Sequence, residues 1–514
     1  AKQHRIPRCT SFVSVHLVPS RKGCRVSPTT AAALTFVGIA GLFWLDRDPR
    51  LRTSPALWIS VVWFLLACSR PLSTWFNVGP IEAESLTAQL SEGSPLDRAV
   101  LTGFLFLGLF VLLNRGKRLG RCLRDSWPIL LFFGYCLISL AWSDYPMVGF
   151  KRWNKAVGDW LMILIVWTDP QPMAAFKRLL ARTAYLLVPV SILFVKYYGN
   201  LGRVYDWLGE THYAGVTPEK NTLGSICMVF GLASLWRILN LFSEEPRIRP
   251  RLQRLMAHVT ILTMVIWLFS IADAMTSLAC FLLATCALVA GRLRACARNP
   301  IIVHSLILLM LLVPASVALL GFSPETLQQM GRSATLTDRT DIWAMVIRLT
   351  PNRWLGAGFE SFWLGPRLET VVSQVTKWWV PNQAHNGYIE IFANLGWIGV
   401  GCLSLVIFWG YFRIIHGLRR KVPAANLMLA YFLAGLIFNI SEAAFFRMMI
   451  PVWLFFLIAI TAPMDLMLQS FRKPLHSEAR ILPSPQPVLS LPANAERTAA
   501  RTLLSRTCPR ASIP

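Results

Sequence analysis

Acidic residues are scarce in this chain, with 26 Asp and Glu against 51 Lys and Arg among 514 residues. Charge of either sign makes up only 15% of it, whereas soluble domains carry about 25%. Many apolar residues must therefore face something other than water. The 11 cysteines form no Cys-x-x-Cys pair, are odd in number and lie mostly in apolar runs. That argues against a disulfide framework and leaves them as small hydrophobes. No H-E-x-x-H, G-x-x-x-x-G-K-S/T or G-x-S-x-G motif occurs. Zinc-protease, P-loop and serine-hydrolase chemistry thus lack their motifs, and no metal or cofactor is expected. Residues 1–28 are basic and polar, with no apolar core ahead of a small-residue cleavage site, so no ordinary signal peptide is expected.

What is present is apolar and aromatic. Hydrophobic residues are 54% of the chain and 20 residues are Trp, which fits aromatic belts at membrane interfaces. Helix-length apolar runs recur from Ala31–Leu45 to residues 449–468. The pattern predicts an all-α integral membrane protein with about 12 transmembrane helices and one large periplasmic loop containing short helices. The expected layout is a basic N-terminal segment (1–28), a helical bundle (29–320), the loop (321–394), further spans (395–468) and a disordered cytoplasmic tail (469–514). The tail is rich in Pro, Ala and Arg and cannot bury enough apolar surface to offset its ordering entropy. Lys/Arg clusters at 115–124, 177–182, 247–254, 292–298 and 413–421 recur after every second run. The bias of such clusters toward the cytoplasm puts 321–394 on the outer side. The net charge of +25 is divided among these loops, so a nucleic-acid face is not expected.

The outer loops carry positive charge against that bias. One holds Phe150-Lys151-Arg152-Trp153, another Arg203 and Thr217-Pro218-Glu219-Lys220-Asn221, and the long loop several arginines including Arg339. Arg suits bidentate recognition of phosphate and Lys acts as a point charge. Single cations of this kind also snorkel or bind lipid headgroups; three loops presenting them point equally to a shared anionic site. Thr337–Leu349 reads as a short helix capped by Thr337 and stopped by Pro351, with Arg339 and Trp343 one turn apart, so that the guanidinium could rest on the indole. Asn386–Asn394 reads as a second, with His385 at its start. A helix N-terminus disfavours the protonated ring, keeps it available as a base and attracts phosphate. Gly396 and Gly399 permit a bend or close packing where the next span begins. His212 is the rival histidine on an outer loop. Asp159, Asp273 and Glu442 are the carboxylates in or beside apolar runs, each a functional hypothesis by position.

These motifs together resemble a known family. His385-Asn386, nine residues, then Gly396-x-x-Gly399 is similar to the loop end of the O-antigen ligase/polymerase superfamily. Asp338-Arg339-Thr340-Asp341-Ile342-Trp343 followed by Gly356-x-Gly358-Phe359, and Lys220-Asn221-x-Leu223-Gly224, resemble other motifs of that superfamily. Ala56-Leu57-Trp58-Ile59 with Cys68-Ser69-Arg70-Pro71 looks most like its ExoQ-like exopolysaccharide-production branch. The resemblance implies a metal-independent glycosyltransferase of the bacterial inner membrane. Its donor would be an undecaprenyl-pyrophosphate-linked oligosaccharide and its acceptor a glycan, with membrane lipids and other polysaccharide export proteins as further partners. The implied roles are His385 as base, Arg339 as stabiliser of the leaving diphosphate, and Arg152, Arg203 and Lys220 as pyrophosphate contacts. Asn386, Trp343, Gly396 and Gly399 would support them. The branch favours a polymerase over a ligase. The rival expectation is a transporter or flippase of an anionic glycolipid, which would place its ionisable residues near mid-membrane.

Overall fold

The structure is a computed structural model that describes residues 26–49, 51–78, 93–205, 209–292, 301, 304–305, 307–312, 335–376, 380–465 and 467. Most of the expected N-terminal segment, residues 313–334 of the bundle and loop, and the tail at 469–514 lie outside the described residues.

The described elements are almost all helical. In chain order the main ones are α1 (Pro28–Leu45), α2 (Leu57–Ala67), α3 (Pro95–Leu113), α4 (Gly116–Asp125), α5 (Trp127–Ile138), α6 (Pro146–Trp167) and α7 (Pro172–Tyr197). They continue with α8 (Lys220–Glu244), α9 (Ile248–Ala272), α10 (Met275–Ala290), α11 (Thr335–Leu349), α12 (Gly387–Arg419), α13 (Ala425–Ser441) and α14 (Pro451–Thr461). One small hairpin, β1 (Arg203–Tyr205) and β2 (Thr211–Tyr213), pairs Val204 with His212. Local chemistry sets several helix starts. Pro stands in the first turn of α1, α3, α6, α7 and α14, where a missing N–H leaves no bond unmade. Ser27 Oγ accepts the Thr30 N–H at 3.1 Å and caps α1.

Six of these helices (α1, α3, α7, α8, α9 and α12) are long and apolar enough to cross a membrane. The bent pair of α4 with the helix that α5 begins makes a seventh if it is counted as one span. Four more apolar helices, α2, α10, α13 and α14, are only 11–17 residues long, and α6 carries Lys151, Arg152, Lys155 and Asp159. Length and composition thus support, among the described residues, six or seven of the roughly 12 expected spans; the other described candidates are short or charged, and most of the run expected at 301–320 lies outside the described residues. The chain is a multi-pass membrane protein. α8 buries 78% of its apolar stretch and α1 and α3 only 11% each, so α8 sits among helices while α1 and α3 offer their sides to lipid.

The helices alternate in direction, and their ends gather two sets of polar contacts. At one end, Lys177 of α7 meets Glu244 of α8 at 2.6 Å, and Arg254 of α9 meets Asp48 and Glu245 at 2.8 and 3.2 Å. His258 and Asp46 approach to 3.5 Å there. Arg115 donates to the Ile165 carbonyl and Arg413 to the Ala462 carbonyl, both at 2.8 Å. The described basic clusters therefore share this end. At the other end lie the starts of α6, α8, α10 and α12 and the finishes of α7, α9 and α13. Lys220 pairs with Asp273 at 3.2 Å there. The described part of the long loop sits at that second end and has a small core of its own. Ile342 and Val346 of α11, Phe362, Trp363, Leu368, Val371 and Ala384 pack together with Ala393 of α12.

Candidate active site

Three helix ends converge on Glu442, the residue that follows α13. One carboxylate oxygen lies 2.9 Å from His385 Nδ1, and the other accepts from Arg339 Nη2 at 3.2 Å. Arg339 Nη1 donates to the Ser441 carbonyl at 2.7 Å. The Glu442 side chain is 7% exposed, His385 19% and Arg339 26%. The carboxylate is thus the buried member, and the ring and the guanidinium stand nearer the surface. An anionic Glu442 makes Nδ1 the donor nitrogen of the ring, and the neutral tautomer then carries its lone pair on Nε2. His385 thus stands at the start of α12 beside a carboxylate that orients its ring.

The backbone around His385 is pinned on both sides. His385 adopts φ +49°, an uncommon conformation for a side-chain-bearing residue that needs such support. Ala384 donates its N–H to Glu390 at 2.8 Å and accepts Trp343 Nε1 at 2.8 Å. Trp343 thus fixes the residue before the histidine, and the Arg339 guanidinium that it was expected to carry is held by Ser441 and Glu442. Asn386 caps α12, accepting the Tyr388 and Ile389 N–H groups at 3.0 and 3.1 Å, while its amide donates to the Ile440 carbonyl at 3.1 Å. The Gly387 N–H donates to the Glu442 carbonyl at 3.1 Å, and a Cβ at Gly387 would collide with the Asn439 side chain. Gln383 accepts Arg447 Nη1 at 3.1 Å and the Ala443 N–H at 3.3 Å.

A second buried carboxylate locks the loop to α12. Glu390 accepts the Trp363 indole N–H at 2.8 Å and the Asn394 amide at 3.0 Å, besides the Ala384 N–H. Asn394 Oδ1 in turn accepts the Ser361 and Phe362 N–H groups, both at 3.1 Å. Ala357 and Gly358 donate to the Ala393 and Asn394 carbonyls at 3.0 and 2.8 Å. This close approach meets a break in α12 at Gly396, with φ +64° and ψ −166°. A side chain at Gly396 would strike the Trp354 carbonyl. Gly399 follows where the helix resumes, against the Leu395 side chain. The bend expected at these glycines is present, and it is centred on Gly396.

The remaining candidate cations take separate places. Arg152 donates to the Glu360 carbonyl at 2.8 Å and pairs with its carboxylate at 3.3 Å, on the loop that Glu390 holds. Lys220, at the start of α8, is paired with Asp273, and Thr276, at the start of α10, has its Oγ1 3.4 Å from Ser441 Oγ, the residue whose carbonyl anchors Arg339. Arg203 donates twice to the Val195 carbonyl, at 3.3 and 3.2 Å, and lies over the Tyr213 ring. His212 sits on the same hairpin. The structure therefore unites His385, Arg339, Asn386 and Trp343 around Glu442 and Ala384, bends α12 at Gly396, and holds Arg152 on Glu360, Lys220 on Asp273 and Arg203 on the hairpin. Among the described residues no group of three His, Cys, Asp or Glu side chains is placed to hold a metal ion.

Residues 256–404 match the family model described as O-antigen ligase. The chain carries an O-antigen ligase family domain. No curated protein matches the chain. The match indicates an enzyme of the O-antigen ligase/polymerase type, acting on lipid-linked glycans in a membrane pathway. The matched stretch of this O-antigen ligase family domain runs from α9 into α12 and includes Arg339, Trp343, His385, Asn386, Gly396 and Gly399. Arg152, Arg203, Lys220 and Glu442 lie outside it. In the sequence Glu442 stands out only as a carboxylate beside an apolar run, with nothing to join it to His385. Glu390, Glu360, Gln383, Asn394 and Arg447 carried no signal beyond being polar; the Glu390–Asn394 spacing of one helical turn was the available hint.

Proposed function

We propose that this protein is a glycosyltransferase of the bacterial inner membrane that moves an undecaprenyl-pyrophosphate-linked glycan onto an acceptor sugar hydroxyl at the periplasmic face. The single observation behind this reading is the Glu442 carboxylate shared between His385 and Arg339. His385 Nε2 takes the proton of the acceptor hydroxyl. Its oxygen forms a bond to the anomeric carbon as the bond from that carbon to the diphosphate breaks, and the lipid diphosphate leaves with the electron pair. Glu442 stabilises the imidazolium that forms, as a carboxylate behind a catalytic histidine does. Arg339, anchored by Ser441 and Glu442, supplies positive charge and N–H donors to the developing diphosphate charge. Direct displacement inverts the anomeric centre.

Arg152, next to the loop, and Lys220, at a helix start, extend the cationic surface toward the diphosphate, with Arg203 more distant. The basic clusters at the opposite end orient this site outward. The ExoQ-like resemblance favours exopolysaccharide polymerisation over ligation to a lipid core. The chemistry needs no metal in this scheme, since the cations supply the positive charge. The transporter alternative draws support from Asp159 inside α6, but its two oxygens accept from Trp63 Nε1 and the Met449 N–H at 2.8 and 2.9 Å, which gives it a local structural use. The test is transfer by purified protein from lipid-linked glycan in detergent, where no second compartment exists. Wild type should form product, while His385→Ala and Arg339→Ala should reach the same membrane level and form none. Normal product from either variant would remove the assigned role.

A further inference from the structure

We propose that α4 is a binding site for anionic phospholipid headgroups at the end of the bundle opposite the candidate active site. α4 has the sequence Gly-Lys-Arg-Leu-Gly-Arg-Cys-Leu-Arg-Asp and is bent 82° from the span that follows it. It therefore runs across the helix bundle while its neighbours run along it. Lys117, Arg121 and Arg124 fall at i, i+4 and i+7, so they form one stripe. All three are exposed, and they make no hydrogen bond or ion pair among the described residues. Cys122, on the opposite side of the helix, is buried. Arg115 and Arg118 stand apart from the stripe: they donate to Ile165 and Thr168 at the end of α6, at 2.8–3.3 Å, and tie α4 in place. Asp125 is the one acid on α4, and its carbonyl accepts from Arg413 at 2.6 Å.

The surroundings choose the ligand. Exposed apolar side chains approach α4 from both sides: Phe110 and Leu113 at the end of α3, and Trp127, Leu130 and Leu131 of α5. In a membrane protein these face acyl chains, so the cation stripe lies at the level of the phosphates. A helix with one apolar side and one basic side suits that interface, and its long cations reach out to headgroup charge. Each Lys or Arg at an anionic surface strengthens binding by roughly fivefold.

The test is native mass spectrometry of the full-length protein released from detergent with equal amounts of phosphatidylglycerol and phosphatidylcholine. Wild type should retain phosphatidylglycerol preferentially. Lys117→Gln/Arg121→Gln/Arg124→Gln should lose that preference, and each single Gln variant should lower it by roughly fivefold. These side chains are exposed, so the single variants keep the test sound if the triple variant expresses poorly. Arg247→Gln/Arg249→Gln, which removes exposed cations elsewhere at the same end, should keep it. Unchanged preference in the α4 variants, or its loss in the Arg247/Arg249 variant alone, overturns the assignment. Displacement of the lipid by millimolar inorganic phosphate would make α4 a free-phosphate site and also overturns it.

Discussion

Replacing Glu442 with Gln alters one atom and one charge where His385, Arg339 and the start of α12 meet. The carboxylate offers one oxygen to His385 Nδ1 at 2.9 Å and the other to Arg339 at 3.2 Å. An amide keeps a single acceptor oxygen. If that oxygen stays with Arg339, the amide N–H faces His385, and Nδ1 must become an acceptor. The ring proton then moves to Nε2, the nitrogen that should receive the acceptor hydroxyl's proton. If the oxygen turns to His385, two sets of donors face each other at Arg339. Either arrangement loses a charge-assisted hydrogen bond of about 1.5–3 kcal/mol, and the imidazolium loses its buried counter-ion. In serine proteases the corresponding wrong tautomer lowers kcat about 10⁴-fold.

The expected result for Glu442→Gln is a turnover lower by about 10²–10⁴, or about 2.7–5.4 kcal/mol at 1.36 kcal/mol per decade. The loss should fall on kcat, with KM for the lipid-linked donor within about threefold, because proton transfer is made only in the transition state. Thermal unfolding of the same preparation reports whether the fold survives. Glu442→Asp keeps the charge on a shorter stem and should recover more turnover than Gln. A folded Glu442→Gln variant with turnover within about threefold of wild type would refute the histidine–carboxylate pair. Equal damage from Asp and Gln would show that shape, and not charge, is what the position supplies.

Arg339→Lys keeps a positive charge but loses the forked donors, so transfer should fall about 10- to 100-fold, measured in the same product assay. Glu390→Ala leaves the N–H groups of Trp363 and Ala384 without their acceptor, while the Asn394 amide keeps the residue-390 carbonyl; at about 1–3 kcal/mol for each buried orphan the protein should unfold several degrees lower, seen by differential scanning fluorimetry in detergent. Gly396→Ala forces a Cβ into the Trp354 carbonyl at φ +64°, so membrane abundance by immunoblot should drop, whereas Ala at Gly401, which has open space around it, should not change it.

The helical membrane class was legible because hydrocarbon imposes a coarse rule: apolar runs of helix length with basic residues between them. The span count was less legible. Helices such as α2 and α14 are 11 residues long and much of their surface meets other helices, so the solvent that sets the length rule never tests them. Part of the site could be read for a local reason. Asn386 announces a helix cap, and Gly396 a bend, through their own backbone preferences. Spacing along α11 states which residues share a face and not what a distant part of the chain brings to that face: Trp343 donates to Ala384, and Arg339 to Ser441 and Glu442.

Glu442 shows where local reading stops. Its meaning comes from residues 57 and 103 positions earlier in the chain, and nothing in the surrounding Ser-Glu-Ala-Ala sequence indicates a partner. The same holds for Arg152 and Glu360, 208 positions apart. In both pairs the cation was conspicuous, since it broke the charge bias of outer loops. The acid that holds it was not, since a single carboxylate at a helix end has ordinary solvent-facing uses. A chain with 26 acids nevertheless places two of them, Glu390 and Glu442, buried within contact of the segment 384–387. Burying a carboxylate costs several kcal/mol unless donors surround it. Glu390 takes its hydrogen bonds from neutral N–H donors, which gives a fixed strut. Glu442 meets an imidazole and a guanidinium that both remain partly exposed, an arrangement that suits the proton and charge transfer proposed above.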